Sequence, residues 1–104
     1  MKITRSDHGK TIELPKGADL VLELEENPTT GYRWQLLDFA PHTVAIVQSE
    51  YRAGPGKGAG AGGLRCFHLE LKGTGTIPLR AKLLRAWEGD NSILERFEAT
   101  LLVK

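Results

Sequence analysis

Apolar and polar residues alternate with a period of two along most of this chain. Leu20, Leu22 and Leu24 take one set of positions, and Glu23 and Glu25 take the other. Successive side chains of a β-strand point to opposite faces, so this segment is typical of a strand between a core and water. The same alternation predicts three more strands, over residues 64–71, 76–84 and 97–103.

Shorter strands are predicted at residues 11–14, 32–36 and 44–51, the last because it is rich in Val and Ile. Pro78 interrupts one alternating run, and because proline cannot donate a ladder hydrogen bond we expect it at a strand edge or bulge. No segment has a convincing helical stripe; residues 91–97 come nearest to one. The side chains expected to face the core are Leu20, Leu22, Leu24, Phe67, Leu69, Leu71, Ile77, Leu79, Ala81, Leu83, Phe97, Ala99, Leu101 and Val103.

These elements define an all-β chain. About seven or eight short strands separated by turn signals predict an immunoglobulin-like antiparallel β-sandwich. Trp34 lies in one of the shorter strands and is expected to fill the core between the two sheets. With 104 residues there is room for one hydrophobic core, so we expect a single domain over residues 1–104.

Charge and cysteine content exclude several classes of function. The formal net charge is +1, which gives no electrostatic reason to expect nucleic acid or a membrane surface as a partner. Cys66 is the single cysteine, so no internal disulfide forms. No apolar run approaches the roughly 20 residues of a membrane span. The sequence predicts a soluble monomer without a signal peptide, in a periplasmic, secreted or cytoplasmic location that the sequence leaves open.

Three segments between predicted strands have an unusual composition. Loop 1 is residues 27–32, Asn-Pro-Thr-Thr-Gly-Tyr; loop 2 is the glycine-rich stretch 54–63; loop 3 is residues 85–90, Arg-Ala-Trp-Glu-Gly-Asp. They join the second strand to the third, the fourth to the fifth and the sixth to the seventh. In an immunoglobulin-like sandwich such connections cluster at one end, where antibody-like domains bind their partners.

Each loop also has a plainer interpretation. Loop 1 has the composition of a tight turn, with proline fixing φ and glycine taking a positive φ. Gly58, Gly60 and Gly63 match the Gly-X-Gly-X-X-Gly pattern of nucleotide sites, but a strand follows them where such a site requires a helix. Trp87 could fold back onto the sandwich end and leave Arg85 solvated, whereas an exposed Trp and Arg would favour an interface.

Together the three loops resemble the signature of the chagasin family, which are inhibitors of papain-like cysteine proteases with an immunoglobulin-like fold. Residues 27–31 match its Asn-Pro-Thr-Thr-Gly segment and residues 60–63 its Gly-X-Gly-Gly segment. Residues 85–87 match its Arg-Pro-Trp segment except for Ala86, which replaces the proline. Residues 95–97 are also similar to the closing strand of the family.

The resemblance implies a reversible, tight-binding inhibitor of papain-like (clan CA) cysteine proteases such as papain or a cathepsin L-like enzyme. Loop 1 would enter the catalytic groove with Thr29 and Thr30 nearest the reactive cysteine, and loops 2 and 3 would flank it. The loss of the proline before Trp87 would cost about 0.4 to 1 kcal/mol of preorganisation. The implied protease-binding residues are Asn27, Pro28, Thr29, Thr30, Gly31, Tyr32, Gly60, Gly62, Gly63, Arg85 and Trp87; no catalytic residue, cofactor or metal is implied.

Two rival hypotheses come from the residues themselves. Alternation puts Cys66 and His68 on the same face of one strand, but no third residue orients them, so we expect Cys66 to be a surface or half-buried structural cysteine. His8 and His42 are scattered and show no metal-ligand spacing. The second rival is a non-inhibitory immunoglobulin-like module that recognises another protein or a peptide with the same sandwich end.

Overall fold

The computed structural model describes residues 1–27, 30–37, 42–53 and 62–104. A short 3₁₀ helix, Arg5–Asp7, follows the first strand, and a second 3₁₀ segment, Ala86–Ser92, precedes the last. Residues 91–97 form no α-helix, because the 3₁₀ segment ends within them and a strand takes over. The strands are Lys2–Thr4 (β1), Thr11–Leu14 (β2), Asp19–Glu26 (β3), Arg33–Leu36 (β4), Val44–Ala53 (β5), Gly63–Leu71 (β6), Gly75–Leu84 (β7) and Glu95–Val103 (β8).

The strands form two four-stranded sheets, with the orders β1-β3-β6-β5 and β2-β8-β7-β4. The all-β sandwich predicted from the alternation is confirmed. The long strands pair antiparallel, as expected of an immunoglobulin-like sandwich, whereas two short strands add parallel pairings that were not expected: β1 runs parallel to β3 and β2 runs parallel to β8. Parallel neighbours need a crossover connection. The chain supplies one when it leaves β1, forms β2 in the opposite sheet and returns as β3.

The core lies between the two sheets and contains every side chain that the alternation predicted to face inward. Trp34 is 4% exposed, as expected of the tryptophan between the sheets. Its indole Nε1 donates a hydrogen bond to the carbonyl oxygen of Glu25 at 2.7 Å, so the buried ring keeps a polar partner. Fully burying one leucine of this core contributes about 1.5 to 3 kcal/mol to the free energy of folding, so the core dominates the stability of this disulfide-free fold.

Two single-residue expectations have different outcomes. The pairing of β4 with β7 covers residues 81–84, so Pro78 lies in the part of β7 that β4 does not pair, which agrees with an edge position. Cys66 lies on the outer face of β6 as expected, yet it is 0% exposed. The expectation of a surface or half-buried cysteine is therefore wrong. The long side chains of its cross-strand neighbours Glu23 and Glu50 flank the thiol and keep water from it.

Among the described residues there is no helix long and apolar enough to cross a bilayer.

Candidate functional site

The three loops follow strand ends that the sheet register brings to one end of the sandwich. Glu26, the last residue of β3, lies opposite Gly63, the first residue of β6. In the other sheet Arg33 lies opposite Leu84, so β4 begins where β7 ends. Loop 1 therefore connects the two sheets at the same end at which loop 2 enters β6 and loop 3 leaves β7. Pro28, Thr29 and Gly60, three of the residues implied to bind a protease, lie outside the described residues.

Loop 1 closes on itself through short-range hydrogen bonds. The backbone N–H of Thr30 donates to the carbonyl of Asn27 at 3.2 Å, and the Thr30 hydroxyl donates to the same carbonyl at 2.8 Å. Gly31 has a φ of 80°, in the left-handed region that favours glycine. The tight-turn interpretation and the binding interpretation are thus compatible, because a segment held by its own bonds would lose little conformational entropy on binding.

A buried ion pair supports the base of loop 1. The side chain of Glu26 is fully buried, accepts a hydrogen bond from the Trp34 backbone N–H at 2.8 Å, and receives Nε and Nη2 of Arg65 at 3.1 and 2.8 Å. These bonds join β3, β4 and β6 directly below Asn27. This buried carboxylate was not predicted, although the alternation indicated it: Glu26 continues the even-numbered face of Leu20, Leu22 and Leu24.

Ser92 holds loop 3 at its base. The Ser92 Oγ accepts a hydrogen bond from the Arg85 N–H at 3.0 Å and lies 3.0 Å from the Arg85 carbonyl and 2.7 Å from the Gly89 carbonyl. The 3₁₀ segment between them is kinked at Gly89, where φ is 72°. Ser92 bonds to the backbone on both sides of Ala86 and Trp87. These bonds fix the conformation of loop 3 although position 86 is alanine and not proline.

A second bond holds loop 3 to β7. Nζ of Lys82 donates to a carboxylate oxygen of Asp90 at 2.8 Å, and this hydrogen bond holds the pKa of Asp90 below its ordinary value of 3.8. Asp90 is therefore ionised throughout the mildly acidic range, and its link to β7 persists there.

Loops 1 and 3 contact each other directly. Nε of Arg85 donates to the Thr30 carbonyl at 3.2 Å, and the guanidinium lies 4.5 Å from the centroid of the Tyr32 ring. The Trp87 ring packs against Gly31 so closely that a Cβ at that position would overlap it. Trp87 thus lies against the sandwich end, yet 72% of it stays exposed. Arg85 is not simply solvated, because its guanidinium contacts loop 1.

The described end of loop 2 has a packing role. Gly63 lies between Glu26 on β3 and Ala53 on β5, and a Cβ at this glycine would overlap the Arg52 carbonyl and the Tyr51 ring. Gly62 has room for a side chain, since a Cβ there would lie 3.9 Å from the nearest atom, the Glu26 carbonyl oxygen. A strand, not a helix, begins at Gly63, and this leaves no helix N-terminus for the phosphate of a nucleotide.

The Cys66 and His68 pair lacks the features of a nucleophilic site. Burial raises the pKa of the Cys66 thiol, which is opposite to what an activated thiolate requires. Nε2 of His68 lies 3.1 Å from a carboxylate oxygen of Glu50, and this hydrogen bond lowers the pKa of Glu50. The thiol instead lies 3.9 Å from Glu23, so the two groups have separate partners. The described part of the chain also holds no cluster of three His, Cys, Asp or Glu side chains suited to a metal ion.

The sequence that forms this sandwich matches a known class of peptidase inhibitors. The sequence profile of the Chagasin family peptidase inhibitor I42 matches residues 13–101. Chagasin of Trypanosoma cruzi is 30% identical over 104 residues, which cover 96% of this chain and 94% of that protein. Amoebiasin-1 of Entamoeba histolytica is 32% identical over 78 residues, 73% of this chain and 72% of that protein.

Solved structures share the fold. The crystal structure of the cysteine protease inhibitor EhICP2 from Entamoeba histolytica superposes with a TM-score of 0.84 at 20% identity, covering 99% of this chain and 93% of that one. PbICP-C, in its complex with falcipain-2, superposes with a TM-score of 0.73 at 16% identity, covering 100% and 90%. The chain thus belongs to the chagasin family of peptidase inhibitors. This is a family of inhibitors and not of enzymes.

Proposed function

We propose that this chain, acting as one inhibitor domain over residues 1–104, is a reversible, tight-binding inhibitor of papain-like cysteine proteases that occludes the catalytic groove with its three loops. Family membership supplies the class of target. The observation that carries the proposal is the exposed Trp87, which is fixed against loop 1 and still leaves most of its ring to solvent.

A tryptophan in this state is suited to an interface. Trp and Arg are the residue types that most often dominate binding energies, and burying one under a partner contributes roughly 2 kcal/mol or more. Because the loop is already ordered in the free protein, little conformational entropy is lost when the partner binds. A standard interface of about 1,600 Å² formed by such preformed loops can be very tight.

The mechanism of inhibition is occlusion and needs no chemistry from this chain. Thr30 bonds back to the Asn27 carbonyl through its N–H and its hydroxyl, so Thr30 is not held in the extended form in which a protease cleaves a peptide. The only thiol is buried, with a raised pKa, so a covalent adduct with the protease is not part of the proposal. Inhibition is then reversible and limited by how well the loops fit the cleft.

The first test is a titration of papain with this protein, followed with a fluorogenic substrate. Stoichiometric inhibition is expected, and Trp87→Ala should raise the inhibition constant about 30-fold, the equivalent of about 2 kcal/mol. Val47→Ala is the matched control, because Val47 is 64% exposed but lies on β5 away from the loops. Absence of inhibition at micromolar concentrations of folded protein would refute the proposal and favour a non-inhibitory binding module.

A second variant tests the position of loop 1. Thr30→Arg puts a bulky charge on the turn that is proposed to enter the groove, while Thr30 is exposed and the described bonds of its side chain are all local. Loss of inhibition with an unchanged melting temperature would support the placement of loop 1 in the catalytic groove. An unchanged inhibition constant would contradict it, even if the protein inhibits by way of other surfaces.

A further inference from the structure

The contacts of Arg85 in the structure differ from the role that the family resemblance implies for it. The resemblance implies that it binds the protease, yet its side chain is only 36% exposed and its described contacts are all within the inhibitor. The planar face of the guanidinium covers the Tyr32 ring, and one edge donates to the Thr30 carbonyl. Nη1 lies 3.3 Å from a carboxylate oxygen of Glu88. One face of the guanidinium, Nε and Nη1 therefore have partners within the inhibitor before any protease binds.

These contacts join parts of the chain that are far apart in sequence. Arg85 and Thr30 are 55 residues apart, and each belongs to a loop that leaves a different strand. A second contact, between the Trp87 ring and Gly31, lies on the same two loops. Two points of contact restrict rotation of one loop against the other, which a single contact does not do.

We propose that Arg85 is a positioning residue: it binds loop 3 to loop 1 so that Trp87 and the turn at Thr30 are presented to a protease as one rigid unit. This inference rests on the proposed function for its consequence in binding, but not for the contact itself. If Arg85 is lost, only a fraction of the free molecules has both loops in place, and the apparent affinity falls to that fraction of its wild-type value. The loss should appear mainly as slower association.

The variant Arg85→Lys tests this without removing the charge. An ammonium group is a point charge without the planar fork, so it cannot cover Tyr32 and bond the Thr30 carbonyl at the same time. If Arg85 positions the loops, we expect Arg85→Lys and Arg85→Ala to raise the inhibition constant for papain by a similar factor, about 10-fold. If Arg85 only steers the protease by its charge, lysine restores the association rate.

The free protein gives a readout that direct contact with a protease would not change. In the wild type the Trp87 ring current should shift the Hα resonances of Gly31, and the amide of Tyr32 should have the order parameter of rigid backbone, as measured by NMR. In Arg85→Lys we expect the Gly31 shift to collapse and the Tyr32 order parameter to fall, while the resonances of β6 and β8 stay in place. Unchanged Gly31 and Tyr32 signals would overturn the proposal, whatever happens to inhibition.

A double-mutant cycle supplies the second arm. Tyr32→Leu removes the ring under the guanidinium, and coupled residues give non-additive effects. If Arg85→Ala and Tyr32→Leu each raise the inhibition constant about 10-fold, the double variant should also raise it only about 10-fold. A 100-fold loss would mean that the two residues act separately and would contradict a shared contact. If the wild type inhibits no protease, the proposed function fails, and the NMR arm alone decides whether Arg85 joins the loops.

Discussion

The contact between Gly31 and Trp87 leads to a sharp prediction for Gly31→Ala. The added Cβ would occupy the space of the indole ring, and Gly31 has a φ of 80°, which an L-residue rarely adopts. Trp87 is at the surface, so its ring can swing away and the fold can survive. We expect a folded protein in which Trp87 has left its place.

Gly31→Ala should lower two separate free energies, that of folding and that of binding to the protease. A left-handed backbone costs a residue with a Cβ about 1 kcal/mol, and this loss should appear in the free energy of unfolding. Displacement of Trp87 removes its contribution to the interface, which is about 2 kcal/mol. The inhibition constant for papain should therefore rise about 30-fold.

Gly9→Ala separates the two terms. Gly9 has the same φ of 80°, but a Cβ there would meet nothing within 4 Å. Both variants should lose similar stability in urea unfolding, and only Gly31→Ala should lose inhibition and change the tryptophan fluorescence. If Gly31→Ala inhibits as well as Gly9→Ala, the position of Trp87 against Gly31 does not matter for binding, which contradicts this prediction.

Three further predictions concern the supports of the loops. Ala86→Pro should inhibit papain equally well or more tightly. Arg85, the residue before it, already has a φ of −91° and a ψ of 110°, close to the region that a following proline imposes. A clearly weaker variant in the same titration would contradict this. Glu26→Ala should lower the free energy of unfolding in urea by about 3 kcal/mol, since it leaves Arg65 largely buried without its partner; a loss below 1 kcal/mol would mean that water replaces the pair. The pKa of Asp90 is depressed on folding, so its bond to Lys82 is fully present above pH 3.8 and is lost as the pH falls through the lower pKa of the folded protein. An NMR titration of the Asp90 carboxyl group should find a pKa below 3.8. A titration midpoint above 3.8 would contradict the bond.

The strands of this fold could be predicted from sequence because their burial obeys one simple period. Leu79, Leu101 and the other alternating residues face a single core, and alternation records that directly. The direction of pairing could not be predicted in the same way. β1 contributes one buried residue, Ile3, and nothing in three residues tells which strand it joins or whether it runs parallel.

The candidate site was predicted in its members and not in its internal contacts. Sequence motifs indicated Arg85 and Trp87 as surface residues of one loop, and a motif has no information on what lies across from it. The bond from Arg85 to the Thr30 carbonyl involves backbone, which any residue at that position would offer. Only the three-dimensional arrangement separates a side chain that faces a partner from one that holds a neighbouring loop.

The burial of Cys66 has a practical consequence for work with this protein. Thiol proteases are assayed in reducing buffers, and a closed-off thiol neither consumes the reductant nor forms mixed disulfides with the enzyme. Since Cys66 is the single cysteine, a cysteine introduced at an exposed position such as Val47 would be the one thiol that a dye can reach in the folded protein. The wild-type background is therefore suited to site-specific labelling without first removing its native cysteine.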